Sequence, residues 1–171
     1  MEYKAISLHQ PWASLIALEI KKRETRSWST KYRGKLLICS TKKKYVPNSE
    51  LINKIFDLTD IGAFDRRRLD FLGVNTTYTE YLPLGKVLCV VDLTNCDQMT
   101  ANNGDNDDAF INGERPPLLE WLCGNWQAGR YAWELSNTNR LTKPIPIKGH
   151  QGLWIPDDSI IKEVKNNLTR D

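Results

Sequence analysis

Four side chains of different chemistry lie close together near the start of this chain. Lys21, Glu24, Arg26 and Trp28 follow an apolar segment with helical spacing. If residues 22–28 form a strand, side chains alternate between its faces, so Glu24, Arg26 and Trp28 share one face. Arginine offers a planar fork for a phosphate or a base edge, and tryptophan offers a plane on which a base can stack. This grouping is unfavourable in a core and indicates a binding site.

The sequence around this cluster resembles a known family. Residues 5–13 read Ala-Ile-Ser-Leu-His-Gln-Pro-Trp-Ala, and residues 32–38 read Tyr-Arg-Gly-Lys-Leu-Leu-Ile. Together with the cluster they resemble the ASCH domain, the activating signal cointegrator homology domain, whose signature is G-x-K-x-x-E-x-R. Lys21, Glu24 and Arg26 match that signature. Two later segments, 89–93 and 146–149, also resemble parts of the family.

The resemblance implies a fold and a function. ASCH domains have a PUA-like barrel with a cleft beside the first helix, and PUA-like domains commonly bind RNA or modified nucleic acid. We therefore expect an α+β fold, a small mixed β-barrel of five to six strands with flanking helices. We expect one such domain over residues 1–171.

Glu19 departs from the signature, which has glycine at this position. Glycine after a helix commonly adopts the left-handed conformation. A glutamate held in that conformation costs about 1 kcal/mol. Either the helix continues to Ile20, or the turn differs and Lys21 is displaced.

Composition narrows the class of protein. The chain has 171 residues, of which 40% are hydrophobic, so it can bury a core and is not expected to be disordered. It lacks an apolar run long enough to span a bilayer and lacks a signal-peptide pattern. We expect a cytoplasmic protein that does not associate with membranes and is a monomer.

Cysteine and histidine spacing argues against a metal or a cofactor. The four cysteines and two histidines are scattered, without a C-x-x-C or H-x-x-x-H pattern. Cys39 and Cys89 lie in apolar runs and are interpreted as buried hydrophobic residues. We predict no metal site and no cofactor.

The distribution of charge favours nucleic acid. The net charge is only +3, but basic residues cluster at 21–23, 42–44 and 66–68. Each run alone is typical of a solvated surface. Beside the signature, the three runs favour a nucleic-acid partner, RNA over DNA, and a protein partner remains an alternative.

Hydrophobic periodicity predicts the main elements. Strands are expected at 3–8, 22–28, 34–41, 86–93, 130–135 and 141–148, with a turn at 136–139 and a polar loop at 100–108. Helices are expected at 11–19, from Asn48 and after Asp157 or Asp158. Residues 60–82 are ambiguous and allow a further helical turn or two at 66–72.

Further side chains are candidates for contacting nucleic acid. Gln10 has both a donor and an acceptor for a base edge. Arg33, Lys42 and Lys148 are candidate nucleic-acid contacts beside Lys21, Arg26 and Trp28. Asp92 ends an apolar strand and needs a partner if buried, and Arg26 or Lys21 is a candidate.

An enzyme is the alternative function. Some small ASCH proteins resemble amidohydrolases of N4-acetylcytidine that use a lysine, a threonine and a glutamate. Lys21 fits that pattern, but Glu24 stands where those members have threonine, and Asp92 is only a possible substitute for their glutamate. Nearby carboxylates favour the protonated ammonium of Lys21, which cannot act as a base, so they disfavour this enzyme interpretation. A metal-independent nuclease with Glu24 as base is a further alternative.

Overall fold

A computed structural model describes residues 2–43, 50–51, 54–55, 82–102 and 105–168 of the chain. Eight strands and three helices have both ends within these ranges. The strands are β1 (Lys4–Leu8), β2 (Arg23–Arg26), β3 (Gly34–Ser40), β4 (Lys86–Gln98), β5 (Thr100–Asn102), β6 (Asp105–Phe110), β7 (Tyr131–Pro146) and β8 (Leu153–Trp154). The helices are α1 (Trp12–Ala17), α2 (Leu118–Leu122) and α3 (Asp158–Asn167).

Six strands form one curled, mixed sheet in the order β2-β7-β4-β3-β1-β8. β1 runs parallel to β3, and the other neighbours are antiparallel. The sheet is a half-barrel with β2 and β8 at its edges. The predicted α+β class, with a six-stranded barrel-like sheet and flanking helices, is confirmed.

Both faces of the sheet are covered, which explains why β3 and β4 are apolar at consecutive positions. Ile6, Leu36 and Trp133 pack on one face against Ile16 of α1. On the other face, a cluster that includes Leu37, Val90 and Leu141 surrounds Val164 of α3. Strands buried on both sides must be apolar throughout rather than alternating.

Two local predictions were wrong. Residues 136–139 do not separate two strands, because β7 is continuous from Tyr131 to Pro146. Its pairing with β4 shifts register several times, and Asn137 has φ 49°. Such irregularities bend a strand without ending it, so the turn-like residues mark the bend. Within the predicted loop 100–108, Thr100–Asn102 and Asp105–Phe110 form the antiparallel pair β5–β6.

The predicted helices correspond in part to described residues. α1 and α3 confirm the helices expected near the N-terminus and after Asp157. Residues 50–51 and 54–55 are helical, whereas Asn48 and residues 66–72 lie outside the described residues. In the described part of the chain, no helix is both long and apolar enough to cross a membrane.

The end of α1 resolves the question raised by Glu19. The Glu19 N–H donates to Ile16 O at 2.9 Å, and the Ile20 N–H donates to Leu15 O at 3.0 Å. Glu19 has φ 62°, so the left-handed cap is kept with glutamate in place of glycine. The helix therefore does not continue to Ile20, and the turn has the geometry typical of glycine.

Replacing Glu19 with glycine should stabilise the protein. Relief of the left-handed strain exceeds the added entropy of glycine in the unfolded chain, so Glu19→Gly is expected to raise the free energy of unfolding by about 0.5–1 kcal/mol. Urea denaturation measures this change. Glu19→Ala is the matched control, because it removes the exposed side chain but keeps the strain. An equal gain in both variants would show that the side chain, not the backbone, is unfavourable.

Candidate functional site

The Lys21 side chain is buried directly after the α1 cap. The residue is only 2% exposed. Its Nζ donates a hydrogen bond to the carbonyl oxygen of Cys123 at 2.7 Å and lies 3.5 Å from Glu24 Oε2. A buried ammonium needs such partners because desolvation of an unpaired charge costs several kcal/mol. Lys21 thus connects the start of β2 to the segment that follows α2.

Glu24 lies between two cations. Its Oε1 is 3.5 Å from Arg26 Nη1, and its other oxygen faces Lys21. The Glu24 side chain is 9% exposed, whereas the Arg26 side chain is 28% exposed. The three signature residues therefore form one row of alternating charge, with the guanidinium at its solvent end.

Trp28 extends this row. Its ring lies edge-to-face against Trp133, with centroids 4.6 Å apart and planes at 83°. The Arg26 guanidinium carbon is 5.6 Å from the Trp28 ring centroid. The indole thus joins the core on one side and supports the guanidinium, which restricts the orientations that Arg26 can adopt.

A cleft lies beside this row, between α1 and the segment after α2. Its volume is about 260 Å³. We call it the Lys21 cleft, and it is lined by Trp12, Lys21, Glu24, Thr25, Leu51, Leu122, Cys123, Gly124 and Asn125. The lining combines an indole and apolar side chains with an ammonium, a carboxylate and a hydroxyl, a mixture typical of small-molecule sites.

Glu120 of α2 connects this helix to the start of β2. Its two carboxylate oxygens accept hydrogen bonds from the backbone N–H groups of Lys22 at 2.5 Å and Arg23 at 3.2 Å. Its carbonyl oxygen accepts the Trp126 indole N–H at 2.7 Å. Burial raises the pKa of the Glu120 carboxyl, although the bond from Lys22 and the Lys21 charge oppose that rise.

The segment after α2 has little freedom. The Asn125 N–H donates to Thr25 Oγ1 at 2.9 Å. A Cβ atom at Gly124 would lie 2.6 Å from Trp126 Nε1 and 2.9 Å from Thr25 Cγ2. Only glycine allows this close approach between the segment and β2.

Asp92 does not join this site, which corrects one prediction. Its partners are Lys35, with Nζ–Oδ1 2.9 Å, and the Asn137 side-chain amide at 2.8 Å. Burial raises the pKa of Asp92, but the hydrogen bonds from Lys35 and Asn137 outweigh burial and lower it overall. Lys35 is the neighbour of Asp92 in the β3–β4 register, whereas Arg26 and Lys21 are near β2 at the sheet edge.

Gln10 is buried and bonded within the fold. Its Nε2 donates to Pro83 O at 2.9 Å, and its Oε1 accepts the Ser14 N–H at 3.1 Å. The amide therefore fixes the start of α1, and a base could reach it only by displacing these bonds.

The other predicted contacts are exposed and lie outside the Lys21 cleft. Arg33 donates to Thr30 O at 2.9 Å and Tyr32 O at 2.8 Å, before β3. Lys42 and Lys148 are exposed, beyond the ends of β3 and β7. In the ranges that the structure describes, no cluster of His, Cys, Asp or Glu could hold a metal ion.

Sequence reasoning missed the half of the cleft contributed by α2 and the residues after it. Glu120 is the one charged residue of the short apolar helix Leu118–Leu122, and a lone carboxylate in an apolar helix is a signal of a buried partner. Gly124 followed by Asn125 marks a tight turn. Neither signal indicates that the turn packs against Lys21, about a hundred residues earlier.

Comparisons with known proteins identify the family. The family model described as "ASCH domain" matches residues 6–145. Activating signal cointegrator 1 from Homo sapiens is 28% identical over 165 residues, covering 96% of this chain and 24% of that protein. The Mus musculus protein of the same name matches with the same values. The chain thus spans about a quarter of these curated relatives.

A solved structure supports the fold. The crystal structure of a ZmASCH mutant protein from Zymomonas mobilis aligns with a TM-score of 0.51, covering 99% of this chain and 100% of that one. The two sequences are 13% identical, so this likeness shows the fold alone.

Removing the Glu120 carboxylate should destabilise the fold. Glu120→Ala leaves the Lys22 and Arg23 N–H groups without their acceptor, so we expect a loss of about 2–3 kcal/mol of unfolding free energy. Glu120→Gln keeps one acceptor oxygen and should lose less. Chemical denaturation measures both, with exposed Glu114→Ala as the control. A loss no larger than that of the control would show that the Glu120 hydrogen bonds contribute little to stability.

Proposed function

The chain belongs to the ASCH domain family, and we propose that it binds nucleic acid, RNA in preference to DNA, through the Lys21 cleft. One observation carries this proposal: a buried ammonium and a carboxylate lie 3.5 Å apart in the wall of a cleft beside an indole. They form a donor and an acceptor in fixed positions, which is what recognition of a base edge requires.

The charge pair suits a nucleobase rather than a larger ligand. Lys21 has three N–H donors, and its described partners, the Cys123 carbonyl and Glu24, account for two of them. A ring nitrogen or carbonyl could accept the third hydrogen, while an exocyclic amino group donates to Glu24. The cleft volume of about 260 Å³ lies below the usual range for drug-sized ligands and fits a single base.

Arg26 and Trp28 supply the neighbouring contacts. The partly exposed Arg26 guanidinium is held beside Glu24 and over the Trp28 indole, so it can contact a phosphate oxygen without large loss of side-chain entropy. RNA is favoured because sequence-specific RNA recognition usually takes unpaired bases into such sites, where bases are splayed and bound on their edges.

Arg26→Ala is the experiment that tests this function. We expect RNA binding to weaken by about 1–3 kcal/mol, because a charge-assisted contact is lost. Fluorescence anisotropy with single-stranded RNA and DNA of matched sequence measures affinity, and a thermal melt checks folding. Lys162→Ala, an exposed cation on α3, is the control for lost charge. If Arg26→Ala unfolds at lower temperature yet its folded fraction binds normally, Arg26 is structural and the site lies elsewhere.

The geometry favours binding over hydrolysis. A lysine base or nucleophile-activator needs its nitrogen lone pair, but Lys21 Nζ donates to a carbonyl and faces a carboxylate. Glu24, the alternative base, lies between two cations. The Thr25 hydroxyl, which also lines the cleft, accepts the Asn125 N–H instead of facing a base. These contacts suit a positioned donor and acceptor better than a nucleophile with a general base.

Hydrolysis of N4-acetylcytidine should therefore be absent or very weak. Incubation of the purified protein with N4-acetylcytidine, followed by chromatography of the nucleosides, measures cytidine release. Lys21→Ala and Glu24→Thr are the comparison variants. Glu24→Thr restores the threonine of the amidohydrolase pattern, so any gain in cytidine release is expected in this variant. Robust deacetylation by the unmodified protein that Lys21→Ala abolishes would establish the enzyme instead.

A further inference from the structure

Basic side chains gather where four neighbouring strands begin or end. We call this surface the sheet-end rim, and its members are His9 after β1, Lys42 and Lys43 after β3, Lys86 at the start of β4 and Lys148 after β7. The sheet order places these four strands side by side. The rim is therefore one continuous surface, although its residues are scattered in the sequence.

Backbone hydrogen bonds join the four strand ends. Thr41 N–H donates to Leu8 O at 2.8 Å, Gly85 N–H to Thr41 O at 3.1 Å, and Ile147 N–H to Gly85 O at 2.9 Å. The Thr41 hydroxyl also lies 2.9 Å from His9 Nδ1. The rim thus has an ordered backbone, and its cations are presented by a fixed framework.

Lys42 lies across the start of β4. A Cβ atom built on Gly85 would be 2.7 Å from Lys42 Cγ and 3.2 Å from Lys42 Cε, so the aliphatic stem covers this glycine. Lys42, Lys43 and Lys148 are exposed. Among the residues whose positions are described, none of the four rim lysines takes part in an ion pair. The positive charge of the three exposed lysines is therefore available to an anionic partner.

The dimensions of the rim suit a chain of phosphates. Neighbouring strands are about 4.8 Å apart, so four strand ends span about 14 Å. Successive phosphates of a stacked strand advance by about 3.4 Å, so this span is long enough to contact more than one phosphate. His9 precedes Trp12 of the Lys21 cleft by three residues, so their Cα atoms are at most about 11 Å apart. One strand of nucleic acid can therefore reach both places.

On the basis of the proposed function, we propose that the sheet-end rim binds the phosphodiester backbone beside the nucleotide held in the Lys21 cleft. The ligand is then a single strand of several nucleotides rather than a free nucleoside. Phosphate contacts supply affinity without reading sequence, whereas the cleft contacts read a base. A lipid surface is disfavoured, because the described rim residues lie at strand ends and carry polar side chains rather than an apolar face that could enter a bilayer.

The test compares rim and cleft variants on ligands of two lengths. The rim variant is Lys42→Gln with Lys148→Gln. The cleft variant is Arg26→Ala, which removes the cation beside the cleft. The control is Lys31→Gln with Lys162→Gln, which changes the net charge as much as the rim variant does. The probes are a dinucleotide and single-stranded RNA and DNA of about eight nucleotides. We expect the rim variant to bind the longer strands about tenfold more weakly at low salt, with the log–log salt slope reduced by about 1.4. Its affinity for the dinucleotide should change little, whereas the cleft variant should lose affinity for both lengths.

The outcomes separate failure of the rim from failure of the function. If the wild type binds the longer strands and the rim variant matches the control, the rim proposal is wrong and the proposed function stands. If the wild type binds neither RNA nor DNA, both are wrong. Vesicles of equal parts phosphatidylcholine and phosphatidylserine are the third probe. Loss of vesicle binding alone in the rim variant would assign the rim to a membrane surface instead.

Discussion

The need to neutralise the buried Lys21 ammonium fixes how β2 and the segment after α2 lie against each other. Lys21 is 2% exposed, and its charge is balanced by a carbonyl oxygen from after α2 and a carboxylate from β2. Replacing such a pair with apolar residues is often neutral or stabilising, so the pair itself is weak evidence of a stability role. Because this buried charge also lines a cleft, we attribute its presence to the ligand contact proposed above rather than to stability.

The same constraint fixes the segment that forms the opposite wall. Three sets of hydrogen bonds hold residues 120–125 to β2 and the two residues before it. The Cys123 carbonyl accepts from Lys21, the Glu120 carboxylate accepts from two backbone N–H groups, and the Asn125 N–H donates to Thr25. Gly124 provides the clearance for this approach. These polar contacts act together with the apolar cluster in which Leu119, Leu122 and Cys123 pack against Leu15 and Leu18 of the α1 region, and both hold the two walls of the cleft together.

Local patterns predicted the parts of the site that are close together in sequence. Alternation along β2 placed Glu24 and Arg26 on one face, and the helical spacing predicted α1. Neither could reveal the partner of Asp92, because strand neighbours depend on sheet order, and β3 brings Lys35 to it. The same limit hid Glu120 and the turn at Gly124. The bend in β7 was mistaken for a turn, because residues that end a strand also form bulges within one.

The arrangement of charge separates recognition from attraction. In the cleft, Lys21 and Glu24 largely cancel, which leaves Arg26 as the outer cation. A nearly neutral pair distinguishes donors from acceptors but attracts a polyanion weakly. Among the described residues the rim lysines form no ion pair, and under the proposal above they attract phosphate without reading sequence. A fold with a modest net charge of +3 can therefore bind a polyanion, provided that one surface supplies affinity and the adjacent cleft selects the base.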